Sequence, residues 1–197
     1  MRTISDEMRK KMRKAATIFA ERGFDGTTVE ALSEVTGVPS STLYYNFEGK
    51  EEILAFLLED WLDRTSAAAA DAVATRRSAN ERLADLVETQ LRAMANDPAT
   101  CQVLLAEFGR IDRLPRIAEA VQSAFHRPLA KLLAIGVADG TIRQIDVETT
   151  TSAVYGAVII SGLHHIIASQ GTAPAFDATT VASTVMDLIL HGLEPTK

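Results

Sequence analysis

Apolar residues recur every three to four positions along nearly the whole chain, and strict two-residue alternation is almost absent, so the pattern predicts helices throughout. Met8, Met12, Ala15, Ala16 and Phe19 form one stripe, which predicts a helix over Ser5–Arg22 with its basic side chains on the other face and Gly23 as its stop. Thr27 and Glu30 stand at capping-box spacing and open a second helix that turns Val29, Leu32 and Val35 inward. Gly37 ends it. Pro39, tolerated in a first turn, starts a short third helix whose buried side is Leu43 and Phe47. A fourth helix begins at Gly49-Lys50 and runs to about Ala74, with Leu54, Leu57, Leu58, Trp61 and Leu62 on one face.

Thr75–Asn80 breaks the periodicity. Further helices follow over Ala79–Ala95 (Leu83, Leu86, Val87, Leu91, Met94) and from Pro98 to about Phe108, then a polar loop over Gly109–Pro115. Arg116–Ala138 reads as one helix kinked at Pro128, which removes a backbone donor and crowds the turn before it. Ala138-Asp139-Gly140 is a helix stop. Asp146 or Thr149 opens a helix to about Ser169, Gln170–Phe176 is a loop, and Asp177–His191 is the last helix. The fold class is all-α, with about nine helices.

The stretch Thr27–Leu54 combines a helix, a glycine turn, a short polar helix and a longer helix, which is the arrangement of a helix-turn-helix that reads DNA. Ser40, Ser41 and Thr42 offer small hydroxyls to base edges or phosphates. Tyr44 and Tyr45 offer phenol donors on aromatic bodies suited to the sugar-phosphate backbone, while Leu43 plugs the head's own core. No arginine or lysine lies within Ser40–Asn46, so backbone anchoring outweighs base readout. Lys50 stands in a first helical turn, against the macrodipole, where a phosphate would satisfy both the lysine and the open backbone amides.

Net charge is −6, which at first argues against a nucleic-acid partner, but its distribution changes that picture. Residues 1–50 carry eight Lys/Arg against seven Asp/Glu, and the remainder twelve against nineteen. A locally basic head thus sits on an acidic body, and Arg9–Lys14 supplies most of the difference. The single cysteine, Cys101, rules out an internal disulfide framework. Met1–Lys14 lacks the apolar stretch of a signal peptide, and the longest apolar run, Ala153–Ala168, contains His164 and His165 and reads as too short and too polar to span a membrane. The expected location is cytoplasmic, with no membrane partner.

Gly23-Phe24, Thr27-Thr28-Val29 and then GVPSSTLYYNFEGKEEIL resemble the signature of the TetR family of bacterial transcriptional regulators over about residues 12–58. Farther along, ADGTIR (Ala138–Arg143) is similar to the loop before that family's dimerisation helices. The resemblance implies that Thr28, Ser41, Thr42, Tyr44, Tyr45, Asn46 and Lys50 fall where the family contacts DNA, with Ser40 beside them.

The helix Thr149–Ser169 is apolar nearly all round and carries small residues that permit close approach, so it calls for burial on every side. A second copy of the chain provides that most simply. Gly156, Ile160, Leu163 and Ile167, with Val185 and Leu188 of the last helix, are the expected dimerisation residues of a four-helix bundle. The remaining helices have the residues to enclose a mainly apolar effector cavity lined by Trp61, Leu62, Met94, Cys101, Leu105, Phe108, Phe125 and Tyr155. His164 and His165 point about 100° apart on a helix, and no H-x-x-x-H or cysteine pair exists, so no metal site and no cofactor are expected.

The expected organisation is a DNA-binding head over 1–52 and a ligand-binding and dimerisation body over 53–197, joined inside the fourth helix. The expected function is that of a ligand-responsive regulator, a repressor, that binds a palindromic double-stranded operator as a homodimer and is released by a small, mainly apolar effector of unknown identity. No nucleophile elbow or phosphate-cradling loop supports an enzyme. The alternative is a helical small-molecule carrier or enzyme with no role at DNA.

Overall fold

The computed structural model describes residues 4–108, 115–170 and 172–191. Among the described residues there are helices and turns and no strand. In chain order the helices are α1 (Asp6–Met12), α2 (Ala15–Arg22), α3 (Val29–Thr36), α4 (Ser40–Asn46), α5 (Lys50–Ala74), α6 (Ala79–Asn96), α7 (Pro98–Ala106), α8 (Pro115–Val121), α9 (Arg127–Asp139), α10 (Val147–Ala168) and α11 (Ala178–His191), with a π-helical turn, Gln122–His126, joining α8 to α9. With α1–α2 taken as one interrupted helix and α8–α9 as another, the described residues contain nine. The polar loop expected over Gly109–Pro115 lies, apart from Pro115, outside the described residues.

The chain divides into two compact units, residues 1–62 with 99–118 and residues 63–98 with 119–197. The division falls later in α5 than the 52/53 boundary read from the sequence, and it gives most of α7 and the start of α8 to the first unit.

In the first unit, the N-terminal helix is broken where a continuous one was expected. Ser5 caps α1, accepting from the Met8 amide at 3.3 Å. After Met12 the bonding tightens: Lys14 N donates to Lys11 O at 3.2 Å, Ala16 N to Arg13 O at 3.2 Å and Thr17 N to Lys14 O at 3.3 Å. These are three-residue bonds of 3₁₀ type, and Met12, Ala15 and Ala16 on either side are all buried. The cap of α3 also sits one residue later than expected. Thr28 Oγ1 accepts from Ala31 N at 3.2 Å, whereas Thr27 is 1% exposed and its hydroxyl donates to Gly23 O at 2.7 Å. Either threonine fits the local pattern, but only Thr27 has an inner carbonyl to meet.

In the second unit, α6, α9, α10 and α11 pack on one another. Ser78 and Glu81 form a full capping box at the start of α6. The expected kink at Pro128 is replaced by the π turn, in which Arg127 N donates to Gln122 O and Pro128 falls in the first turn of α9, where no amide is needed. Pro128 cannot donate to Ala124 O, four residues back. Gln90, 1% exposed on α6, does so instead: its Nε2 donates to Ala124 O and Phe125 O, each at 3.4 Å.

Helix α10 buries Thr151, Val154, Val158, Ile159, Gly162 and Ile166. A Cβ at Gly162 would collide with the ends of Met94 and Leu91, so the glycine lets α6 and α10 approach closely. The helix has 22 residues and holds an 18-residue window of mean hydropathy 1.4, long and apolar enough by length and composition alone to cross a membrane. One third of that stretch is buried within the chain itself.

Candidate nucleic-acid interface

The helix-turn-helix is built around one left-handed residue. Gly37 has φ 67°, the αL conformation that lets the chain leave α3 sharply. Thr36 fixes the turn, its hydroxyl donating to Leu32 O at 2.6 Å and accepting from Val38 N at 3.2 Å. Leu32, Val38, Leu43 and Phe47 are buried beneath it, and Phe47 meets Phe56 of α5 at 5.4 Å between ring centroids. Leu43 therefore anchors α4 from inside, as expected.

The outer face of α4 is polar and accessible. Tyr44 and Tyr45 are 57% and 67% exposed, Ser41 is exposed, and Ser40, Thr42 and Asn46 are half-buried. Two of the expected DNA contacts already carry local duties: the Thr28 hydroxyl caps α3, and Asn46 Nδ2 donates to Thr42 O at 2.8 Å.

Lys50 has a geometry the sequence did not suggest. Its ammonium donates to Phe24 O at 2.9 Å, Thr27 O at 3.1 Å and Asp25 O at 3.3 Å, and it lies 4.5 Å from the centroid of the Phe24 ring. An ammonium has three donors, and three carbonyls take them. The macrodipole conflict at the start of α5 is thus relieved within the head, and a phosphate would have to displace one of these carbonyls. At the same helix start, Glu52 accepts from Glu48 N at 2.7 Å.

The basic cluster of Arg9–Lys14 is also partly committed. Asp60 of α5, 6% exposed, receives Arg9 Nη1 and Arg13 Nε, each at 3.1 Å, and the Arg9 guanidinium lies 5.1 Å from the Phe56 ring. Lys11 pairs with Glu7 at 3.0 Å. Lys10 and Lys14 stay exposed. Sequence reasoning missed this cluster because Asp60 stands 47 residues from Arg13.

The expected dimerisation residues separate into two groups. Ile160 and Ile167 on α10 and Leu188 on α11 are exposed at 62%, 64% and 44%, while Gly156 and Leu163 are half-buried. Val185 is 6% exposed and belongs to the core of its own unit. The apolar circumference of α10 is thus buried on one side and open on the other.

The expected effector-cavity residues divide between the two units. Trp61, Leu62 and Cys101 are buried in the first, where Leu105 is half-buried and Phe108 is exposed rather than enclosed. In the second, Met94 and Phe125 are buried, and Phe125 meets Tyr155 at 5.8 Å between ring centroids. Met94 is committed to packing over Gly162. Two grooves in the second unit involve other residues. One of about 390 Å³ is lined by Ala70, Val73, Ala74, Ser123, Arg127, Pro128 and Lys131. Another, of about 310 Å³, lies at the start of α6 and the end of α11.

Comparison with known proteins gives matches over both parts of the chain. Residues 12–56 match the bacterial regulatory proteins of the tetR family, and residues 76–193 match the tetracyclin repressor-like C-terminal domain. The HTH-type transcriptional repressor KstR2 of Mycolicibacterium smegmatis is 31% identical over 137 residues, 68% of this chain and 67% of that protein. The TetR-family regulator PfmR of Thermus thermophilus superposes with a TM-score of 0.81 at 26% identity, over 94% of this chain and 100% of that one. FadR of Bacillus subtilis, solved in complex with stearoyl-CoA, superposes with a TM-score of 0.80 at 19% identity, over 95% and 98%.

Proposed function

Given that the chain belongs to the TetR family of bacterial transcriptional regulators, we propose that it is a repressor that holds a palindromic operator as a homodimer and lets go when a small, mainly apolar effector binds. It is a DNA-binding regulator of transcription; repression, symmetry and effector are the finer reading. One observation carries the DNA-binding part of that reading. Helix α4 is anchored inward by Leu43, at 0% exposure, and presents Ser40, Ser41, Thr42, Tyr44 and Tyr45 on a surface with no cation of its own. Such a helix positions itself by phosphate and sugar contacts and reads bases lightly. Thr28 and Asn46 support it from their local bonds, and Lys50 acts by holding the start of α5 against the turn between α2 and α3.

The open face of α10 and α11, with Ile160, Ile167 and Leu188, supports a two-fold pair of protomers, which matches a palindrome. The stearoyl-CoA of the FadR neighbour carries a long apolar chain, in keeping with an apolar effector. Repression by KstR2 supports the same sign of control here. Release would be a population shift, the effector favouring a state that fits DNA poorly. Such a regulator works in the cytoplasm, where its operator lies.

Native mass spectrometry of the protein mixed with a duplex from its own promoter region tests this reading. Two protomers, or a multiple of two, on each duplex is the expected result; a single protomer per duplex would overturn the dimeric operator complex.

A further inference from the structure

The rotation of α4 about its own axis is set by one residue. Leu43, at 0% exposure, points into the head. Each helical residue advances about 100°, so Ser41 and Tyr45, two positions to either side of Leu43, stand about 160° from it. They are the outermost side chains of the helix: Ser41 is exposed and Tyr45 is 67% exposed. Thr42 and Tyr44 stand about 100° from Leu43, one on each flank. In a DNA groove the outermost positions meet base edges, and the flanks meet the sugar-phosphate walls.

Two strong modes of base recognition are closed to this helix. Guanine is read by the paired donors of arginine or the ammonium of lysine, and Ser40–Asn46 contains neither residue. The nearest cation along the chain, Lys50, gives its three donors to backbone carbonyls. Adenine is read by an asparagine or glutamine amide that uses its donor and its acceptor together. Asn46 carries the one side-chain amide of α4, and it stands only about 60° from Leu43. It is half-buried, with Nδ2 donating to Thr42 O at 2.8 Å.

A hydroxyl and an aromatic ring remain at the centre of the outer face. The Ser41 hydroxyl has no partner among the described residues and can donate or accept, so it discriminates weakly between bases. The Tyr45 ring offers an apolar surface, and the apolar group that base edges present in the major groove is the methyl of thymine. We propose that α4 selects thymine, with the Tyr45 ring packed on the thymine methyl, Ser41 adding a single hydrogen bond beside it, and guanine left unread by this helix. The inference rests on the operator reading above and deepens it, because it names the class of base pair, A·T, that α4 recognises.

Fluorescence anisotropy with three versions of the promoter duplex tests it. One is unmodified. One carries deoxyuridine for every thymidine, which keeps the pairing and removes only the methyl, and one carries 7-deazaguanine for every guanine, which removes the N7 acceptor. The deoxyuridine duplex should bind about ten-fold more weakly, from one methyl contact for each of two recognition helices, and the 7-deazaguanine duplex should stay within about two-fold of the unmodified one. Tyr45→Ala should erase the deoxyuridine penalty and Tyr45→Phe should keep it, since the ring and not the hydroxyl makes the contact. No deoxyuridine penalty, a 7-deazaguanine penalty of about ten-fold, or a deoxyuridine penalty that survives Tyr45→Ala overturns the proposal, the last by placing the readout in the shape of the DNA. If Tyr45→Ala binds no duplex, the two penalties of the parent chain and of Tyr45→Phe decide. A promoter duplex that binds the parent chain no tighter than a scrambled one overturns the operator reading itself, and this proposal with it.

Discussion

Lys50 and Phe24 meet twice: the ammonium donates to the Phe24 carbonyl at 2.9 Å and lies 4.5 Å from the centroid of its ring. With Asp25 and Thr27 supplying further carbonyls, the first residue of α5 closes the turn between α2 and α3. A residue that reads in sequence as a phosphate contact is in the structure a latch inside the head.

Lys50→Ala therefore acts first on stability. Loss of charged hydrogen bonds to half-buried carbonyls costs about 1–3 kcal/mol, read by urea denaturation. Operator affinity falls with the disordered turn, but the slope of log affinity against log salt stays the same. A slope shallower by about one unit would show the ammonium leaving the carbonyls for a phosphate.

The pairing of Asp60 with Arg9 and Arg13 ties α1 to α5. Asp60→Ala frees two arginines that rehydrate at the surface, so the cost is moderate, about 1–3 kcal/mol. Amide exchange locates the effect: α1 should lose protection while α3 and α4 keep it. Equal loss in all three helices would mean that Asp60 supports the head as a whole.

Gln90→Ala removes the side-chain donor that reaches the Ala124 and Phe125 carbonyls in the buried interior. A drop of about 1–3 kcal/mol in unfolding free energy is expected, with the secondary structure unchanged by circular dichroism. A stability equal to that of the parent chain would show that water replaces the amide.

Ile160→Glu and Val185→Glu should behave oppositely. Ile160 is 62% exposed in one protomer, so the charge leaves the protomer folded and shifts sedimentation toward monomer. Val185 is buried, so the same charge unfolds its unit. An Ile160→Glu protein that sediments as the parent does at micromolar concentration would remove α10 from the interface.

Acid should weaken the fold through its helix caps. Asp146 is held below the ordinary carboxylate range by hydrogen bonds from Thr149, its side chain first and its amide second, and Glu81 likewise by the amide and hydroxyl of Ser78. A depressed folded-state pKa contributes stability above the unfolded value and loses it as pH falls through the folded one. Melting temperature should be level near neutrality and fall below the ordinary carboxylate range, and Asp146→Asn should flatten part of that fall. An unchanged acid limb in the variant would separate the cap from the pH response.

What the sequence revealed, and what it hid, follows from the range of each interaction. Gly37 and the buried side of Leu43 and Phe47 are local signals, and the head was legible from them. The TetR resemblance was legible because the same short stretch holds the whole motif. The 3₁₀ break after Met12 was hidden because Arg13 and Lys14 keep right-handed helical angles and the apolar stripe runs on. The π turn was hidden because its compensation, Gln90, lies on another helix. The arginine contacts of Asp60 and the carbonyl contacts of Lys50 were hidden for the same reason: they span more than twenty residues, beyond any helical period.

The central claim is that α4 reads an operator. Fluorescence anisotropy, with a labelled duplex from the protein's own promoter region titrated beside a scrambled duplex at physiological salt, tests it most directly. The promoter duplex should bind at least about 10³-fold tighter, and Tyr44→Ala should weaken binding to both duplexes while leaving most of that ratio in place. Equal affinity of the parent chain for the two duplexes, or binding indifferent to Tyr44, would contradict it.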